Sequence, residues 1–356
     1  MEITIEPGLI TADSHIFNTK PKAFRDQQAS TRFFSIPIQQ REYSWGIHTN
    51  RIDDLLEDLL LFKNSKESKS ELDESKDQYF AGTILLENQN SDTLKVIDGQ
   101  QRLTTIFLLN FANFLICRYK LSSISVDKTP YAYAIEQSKR WQNFVAAERR
   151  VFSVGFSDQL EDFVSEENGS ISENSLEWET RLGVKQDEYW NSVTPRLRFL
   201  EENRADELLN VLESTKLVVD QDSARISIEI DSKQKSRYFD GVKAIIEFLS
   251  EHLKNKTDSI DFLLEKISQF VLFTNENCGL CAIISENEDD SFRLFEILNA
   301  RGEDLSALDL VKNLILEKTN PDFPSDFSTR WDKLKQRVLK TFSKGQQDTT
   351  FVANII

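Results

Sequence analysis

Residues 93–115, TLKVIDGQQRLTTIFLLNFANFL, decide the fold. TLKVI is a β-rich run that leads without a spacer into Asp98 and Gly99. From about residue 101 to residue 120 the positions Leu103, Ile106, Phe107, Leu109, Phe111, Phe114 and Leu115 cover more than half of a helical circumference, which predicts a buried helix. A strand that ends on an acid and a glycine and opens at once into a buried helix is a tight α/β corner. Just upstream, YFAGTILLE (79–87) is a second β-rich run, separated from the first by residues 88–92, NQNSD, the pattern of a hairpin with a longer loop.

Working outward, FFSIPI (33–38) reads as a short strand, and Pro37 places it at a sheet edge or at a strand end. From Arg51 to Phe62 the apolar positions Ile52, Leu55, Leu56, Leu59 and Leu60 predict an amphipathic helix. Residues 64–77, NSKESKSELDESKD, contain too little apolar surface to offset their ordering entropy and predict a mobile surface loop. The order strand, helix, strand, strand, corner, helix describes a small α/β unit over about residues 1–125. Residues 126–356 read as mainly helical, with helices near 131–152, 155–166, 186–202, 205–216, 235–254 and 259–272 and strand-like runs at 225–230 and 280–284. Further helices are expected at about 290–299, 307–318 and 326–342, the first two flanking a polar corner at Asn299 and Arg301. The fold class is therefore α+β.

The chain has 356 residues, enough for two or three domains, and a net charge of −16. That balance excludes a surface basic all over, so nucleic acid would have to be met by a local patch. Arg140, Arg149, Arg150, Arg196, Arg198, Lys233, Lys235 and Arg237 are the residues in view for one; solvated helix faces are the favoured explanation of them. No run approaches the ~18 apolar residues of a membrane span. No secretory pattern opens the sequence, and three cysteines (Cys117, Cys278, Cys281) suit a reducing compartment, so the cytoplasm is expected. Cys278 and Cys281 form a lone C-x-x-C, which without a second ligand pair reads as packing.

The chemistry concentrates at DGQQRLTT (98–105). A helix start presents unpaired backbone N–H groups and a positive partial charge, which suit phosphate. Gly99 lets the backbone approach a ligand, Arg102 can fork onto phosphate oxygens, Asp98 is placed to hold Mg²⁺ or orient water, and Thr104 and Thr105 add hydroxyls. The plainer alternative is a strand-to-helix turn with Asp98 as cap and Arg102 solvated. In QQREYSW (39–45), Arg41 can meet phosphate, while Tyr43 and Trp45 either stack a base or anchor the loop on the core. No GxxxxGK[ST] or GxGxxG occurs, and no HExxH, HNH-like cluster or GxSxG.

IPIQQREYSW (36–45), YFAGTILLE (79–87), VIDGQQRLTTI (96–106) and LFEILNARGEDLSALDLVKNLI (294–315) occur in that order, and together they resemble the GmrSD-type restriction family, over about residues 30–318. The resemblance implies a ParB/sulfiredoxin-like nucleotide-binding domain (1–125) followed by a mainly helical domain (126–356). It also implies hydrolysis of GTP, UTP or CTP with a divalent cation, coupled to recognition and restriction of modified DNA in defence against phage. By similarity Asp98, Gly99, Gln100, Gln101 and Arg102 bind and hydrolyse the nucleotide. Arg41, Asn299 and Arg301 are expected to line the same pocket. An HNH-type nuclease, on a further domain or another subunit, is the expected partner. The other reading from a different class is a non-hydrolysing sensor that binds modified DNA and recruits a nuclease. A homo-oligomer fits a regulated nuclease assembly, although no heptad seam is present.

Overall fold

The computed structural model describes residues 9–11, 33–38, 40–46, 50–68, 78–90, 93–122, 130–154, 193–221, 225–230, 236–255 and 257–285. Its centre is the helix that the opening stretch predicts: α2, Gln100–Ser122, in which every residue from Leu103 to Cys117 is buried. Four of these buried positions are polar (Thr104, Thr105, Asn110 and Asn113), and the other eleven are apolar. The fold is α+β, with six helices around a mixed sheet among the described residues.

The chain contributes β1 (Leu9–Thr11), β2 (Phe33–Ile36), α1 (Arg51–Ser68), β3 (Tyr79–Asn90) and β4 (Thr93–Asp98) before α2. After it come α3 (Pro130–Val151), β5 (Phe152–Val154), β6 (Thr194–Pro195), β7 (Leu197–Phe199) and α4 (Glu202–Ser214). β8 (Thr215–Asp220), β9 (Arg225–Ile230), α5 (Arg237–Leu253), α6 (Ile260–Asn277) and β10 (Cys278–Ser285) follow. The main sheet has the order β1-β10-β3-β4-β2-β7. β3 and β4 form the antiparallel pair expected, while β2 lies parallel to both β4 and β7, and β10 parallel to β3. The sheet thus draws strands from both sides of residue 125. Pro37 follows the last residue of β2, an interior strand, so the strand end is its place.

Helix packing fixes α2 on this sheet. It contacts α3, α5 and α6, and a run of aromatic rings joins it to α3 and β5: Phe114 lies 5.5 Å from Phe144 and 5.5 Å from Phe152. Asn110 and Asn275 exchange two amide hydrogen bonds across the α2–α6 contact, at 3.0 and 2.8 Å, both residues at most 1% exposed. A mutually satisfied amide pair sets one register for two otherwise apolar helices. Ser236 and Ser259 cap α5 and α6 through backbone N–H groups of the first turn.

Three expectations are corrected. The tract 64–77 does not leave the helix at its start: α1 continues to Ser68, supported by the Lys63–Glu67 ion pair and by Lys66, which donates to Asn277 Oδ1 at 2.8 Å. Residues 69–77 lie outside the described residues. Strand β3 runs to Asn90, so the hairpin loop is shorter than the polar residues 88–92 suggest. The helix expected at 186–202 is replaced over 194–199 by β6 and β7, because Pro195 lacks an N–H and Leu197, Arg198 and Phe199 alternate buried, exposed, buried. The helices expected at 155–166, 290–299, 307–318 and 326–342 fall outside the described residues.

Candidate functional site

The corner between β4 and α2 is built on two glycines. Gly99 sits at φ +88°, and a Cβ there would lie 2.5 Å from Ile84 Cγ2 on the neighbouring strand. Only glycine allows both the left-handed turn and the close approach of β3. Gly82, at φ +104°, is the second: a Cβ there would come within 3.0 Å of Arg102 Cζ. The Arg102 guanidinium lies over this bare backbone and donates to the Thr83 carbonyl at 2.8 Å. Arg102 is therefore oriented by the sheet, which the solvated alternative does not describe.

The QQREYSW loop is tied to the same corner by the side chains of the motif itself. Gln101 donates Nε2 to the Glu42 carbonyl at 2.9 Å, and its Oε1 accepts from the Ser44 backbone N–H at 2.9 Å. Gln40 donates to the Ile97 carbonyl at 2.5 Å, one residue before Asp98. Arg204 of α4, paired with Glu201 at 2.6 Å, donates to the Gln40 carbonyl at 2.7 Å. With residues 40, 42 and 44 held this way, Arg41 is presented to solvent beside the corner.

Tyr43 settles its two alternatives. It is 1% exposed, stacks on Tyr238 at a centroid distance of 5.9 Å, and would collide with any side chain at Gly241. Burial holds its phenol well above the ordinary value, so the hydroxyl stays protonated and donates to Thr105 Oγ1 at 2.9 Å, which in turn donates to the Gln101 carbonyl. Tyr43 is an anchor, and Trp45 is half-buried against the core.

At the helix start, the Gly99 carbonyl accepts the first helical bond, from Leu103 N at 3.0 Å. The N–H groups of Gln100, Gln101 and Arg102 precede that ladder. Gln100 is 3% exposed, and neither its Nε2 nor its Oε1 has a hydrogen-bond partner; Thr104, one turn on and fully buried, has an unpartnered hydroxyl as well. Orphaned buried polar groups cost ~1–3 kcal/mol each, so two on one helical face at the positive end of a dipole are a place where a polar ligand is stabilised. Asp98, half-buried at the end of β4, is the carboxylate of the corner. No group of three or more His, Cys, Asp or Glu that could hold a metal occurs among the described residues. A single carboxylate still suits Mg²⁺, which is commonly held by one or two carboxylates with substrate phosphates and water.

Of the remaining expected residues, only some are among those described. Asn299 and Arg301, like Lys233 and Lys235, fall outside the described residues. Arg196 is 2% exposed and donates Nε to the Arg149 carbonyl at 2.6 Å, which removes it from any surface patch. Arg198 lies over the Phe33 ring at 3.4 Å, and Arg237 pairs with Glu42. Cys278 is buried at the start of β10, where burial pushes its thiol up to about 12.

Sequence reasoning missed Gly82, whose signal was a glycine inside a strand pattern, a mark of close approach by another group. It also missed Gln101 as the tether of a loop some 57 to 59 residues away in sequence. No local signal marks that role.

No helix among the described residues is long and apolar enough to cross a membrane. A search of curated proteins returned no match. The model of the GmrSD restriction endonuclease N-terminal domain matches residues 22–316, most of the chain and a span within which the four stretches quoted above lie. The chain therefore belongs to the GmrSD restriction endonuclease N-terminal domain family and is a component of a restriction system.

Proposed function

We propose that the β4–α2 corner binds the phosphates of a nucleoside triphosphate (GTP, UTP or CTP) and hydrolyses it with Mg²⁺, as the regulatory step of restriction. The observation that carries this reading is the pair of buried, unpartnered side chains, Gln100 and Thr104, at the start of α2 behind the left-handed Gly99. Gly99 brings backbone N–H groups against the phosphates, and the Gln100 amide and Thr104 hydroxyl supply further donors. Arg102, held over Gly82, stabilises charge developing on the transferred phosphoryl group, and Arg41 reaches the phosphates from the tethered loop. Gln101 and Thr105 act through that loop as positioning residues. Asp98 would hold the metal or orient the attacking water. When bound, Mg²⁺ neutralises phosphate charge. Asn299 and Arg301 complete the pocket from the helical half.

In this account hydrolysis regulates recognition or cleavage of modified DNA, which meets a local basic patch, and an HNH-type nuclease domain or subunit does the cutting. The test is release of inorganic phosphate from GTP, UTP, CTP and ATP with Mg²⁺, with and without modified DNA. Asp98→Ala and Arg102→Ala are expected to lower turnover by about 10²-fold or more. Modification-dependent DNA binding by a folded protein that turns over no nucleotide would replace this reading with a non-hydrolysing sensor.

A further inference from the structure

The loop that carries Arg41 is held at both ends by residues far along the chain. At its near end Arg204, in the first turn of α4, donates Nη1 to the Gln40 carbonyl at 2.7 Å. Gln40 passes the contact on by donating Nε2 to the carbonyl of Ile97, the residue before Asp98. At its far end Gly46 lies directly on α5, where a Cβ at position 46 would come within 2.7 Å of the Gly241 N and 2.9 Å of the Arg237 carbonyl. Backbone meets backbone there, an approach that any side chain at 46 would block. Between the two ends, Tyr43 stacks on Tyr238 in the first turn of α5. α4 also fixes the start of α5, because Glu207 accepts from the Ser236 hydroxyl at 2.8 Å and from the Arg237 N–H at 3.0 Å.

The charge pair at the start of α4 is costly for what it adds to stability. Arg204 is 5% exposed, and Glu201, whose Oε2 lies 2.6 Å from its Nε, is 8% exposed. Desolvation offsets much of the attraction in a buried ion pair, so two apolar side chains of similar volume would hold the helix as well or better. What the pair contributes is direction. The side-chain hydrogen bond that Arg204 donates goes to the Gln40 carbonyl, while its Nη2 meets no acceptor.

We propose that α4 and the start of α5 form a cradle that positions the Arg41 loop and the end of β4. Arg204, oriented by Glu201, is its positioning residue, and the contact of Gly46 with Gly241 is its second support. The assignment rests on the reading of the β4–α2 corner as the site that Arg41 serves. It makes residues beyond 200 part of the geometry of that site, although none of them meets the phosphates.

Hydrogen exchange and phosphate release by variants of the full chain test this. Glu201→Leu with Arg204→Met removes both charges together and leaves no lone buried charge, so the melting temperature is expected to match or exceed that of wild type. The Gln40 and Ser44 N–H groups, bonded to the Pro37 carbonyl and to Gln101 Oε1, report on the loop. Exchange over residues 40–46 is expected to rise about tenfold or more, with residues 103–117 of α2 protected as in wild type. For whichever of GTP, UTP and CTP the wild type hydrolyses fastest, kcat/KM is expected to fall about tenfold. With Arg41→Ala already present, the further fall is expected to be less than about twofold, because both changes then act through the same arginine. A purely structural role predicts the reverse, a lowered melting temperature with the rate and the exchange of residues 40–46 unmoved. Gly46→Ala lifts the other end of the loop and is expected to raise the same exchange; it decides the matter if the double variant does not fold. The proposal is overturned if residues 40–46 exchange like wild type in the folded variants, or if kcat/KM falls equally with and without Arg41. A folded wild type that releases no phosphate overturns the reading of the corner instead; raised exchange over residues 40–46 then still supports the cradle, and unchanged exchange overturns it.

Discussion

Gln101→Leu removes one side chain and cuts the tether between two parts of the candidate site. The Gln101 amide makes two good hydrogen bonds to the QREYSW loop, to the Glu42 carbonyl and from the Ser44 N–H, each at 2.9 Å. At ~1 kcal/mol net each, their loss costs about 2 kcal/mol. The two backbone groups left behind are part-buried and recover some hydration, so their residual penalty brings the total to about 2–3 kcal/mol. In a chain of this length that lowers the melting temperature by several degrees. The larger effect is on function: Arg41 rides on the released loop, and a misplacement of about 1 Å can cost on the order of 10²-fold in rate. Thermal denaturation and steady-state phosphate release, run beside Arg41→Ala, separate the two consequences. Arg41 is exposed, so Arg41→Ala is expected to lower kcat/KM with an unchanged melting temperature, whereas Gln101→Leu lowers both. A Gln101→Leu protein that melts and turns over like wild type would refute the tether.

Gly82→Ala, at φ +104° and against the Arg102 guanidinium, is expected to destabilise the fold by about 1–2 kcal/mol and to lower kcat through a displaced Arg102, read by urea denaturation and turnover. Asn275→Ala leaves the Asn110 carbonyl oxygen without its donor and is expected to cost about 2–4 kcal/mol, while the double variant Asn110→Leu, Asn275→Leu recovers most of that loss; equal and additive losses in a double-mutant cycle would contradict the paired-amide description. Burial pushes the thiols of Cys117 and Cys278 up to about 12, so at pH 8 both remain almost entirely protonated in the native state. Mass spectrometry after brief alkylation should therefore find both unmodified until denaturant is added.

Much of the frame was legible because local patterns agreed with their surroundings. The TLKVI run, the acid and glycine, and the apolar stretch after residue 101 each specify one element, and the structure has all three in place. Where neighbours decide, the pattern ran out. Residues 64–68 look like loop by composition, yet Lys66 reaches Asn277 and α1 continues over them. The alternation in TPRLRF spans too few residues to outweigh the helical pattern around it, and pairing with β5 and β2 makes it two short strands. The strand Thr215–Asp220 follows α4 with no breaker between them, so the local pattern does not mark where the helix ends. At the site, Gly99 and Arg102 were readable as types at a spacing. The sheet position that aims Arg102 across Gly82, and the tether from Gln101 to residues 42 and 44, depend on contacts between distant segments.

The most direct test of the central claim is single-turnover release of inorganic phosphate from GTP, UTP and CTP with Mg²⁺ by the wild-type chain and by Asp98→Ala and Arg102→Ala, each shown to be folded by circular dichroism. The account predicts release by the wild type and a drop of about 10²-fold or more in both variants. Wild-type rates retained in both variants, or no release from any nucleotide by the folded wild type with modified DNA present, would contradict it.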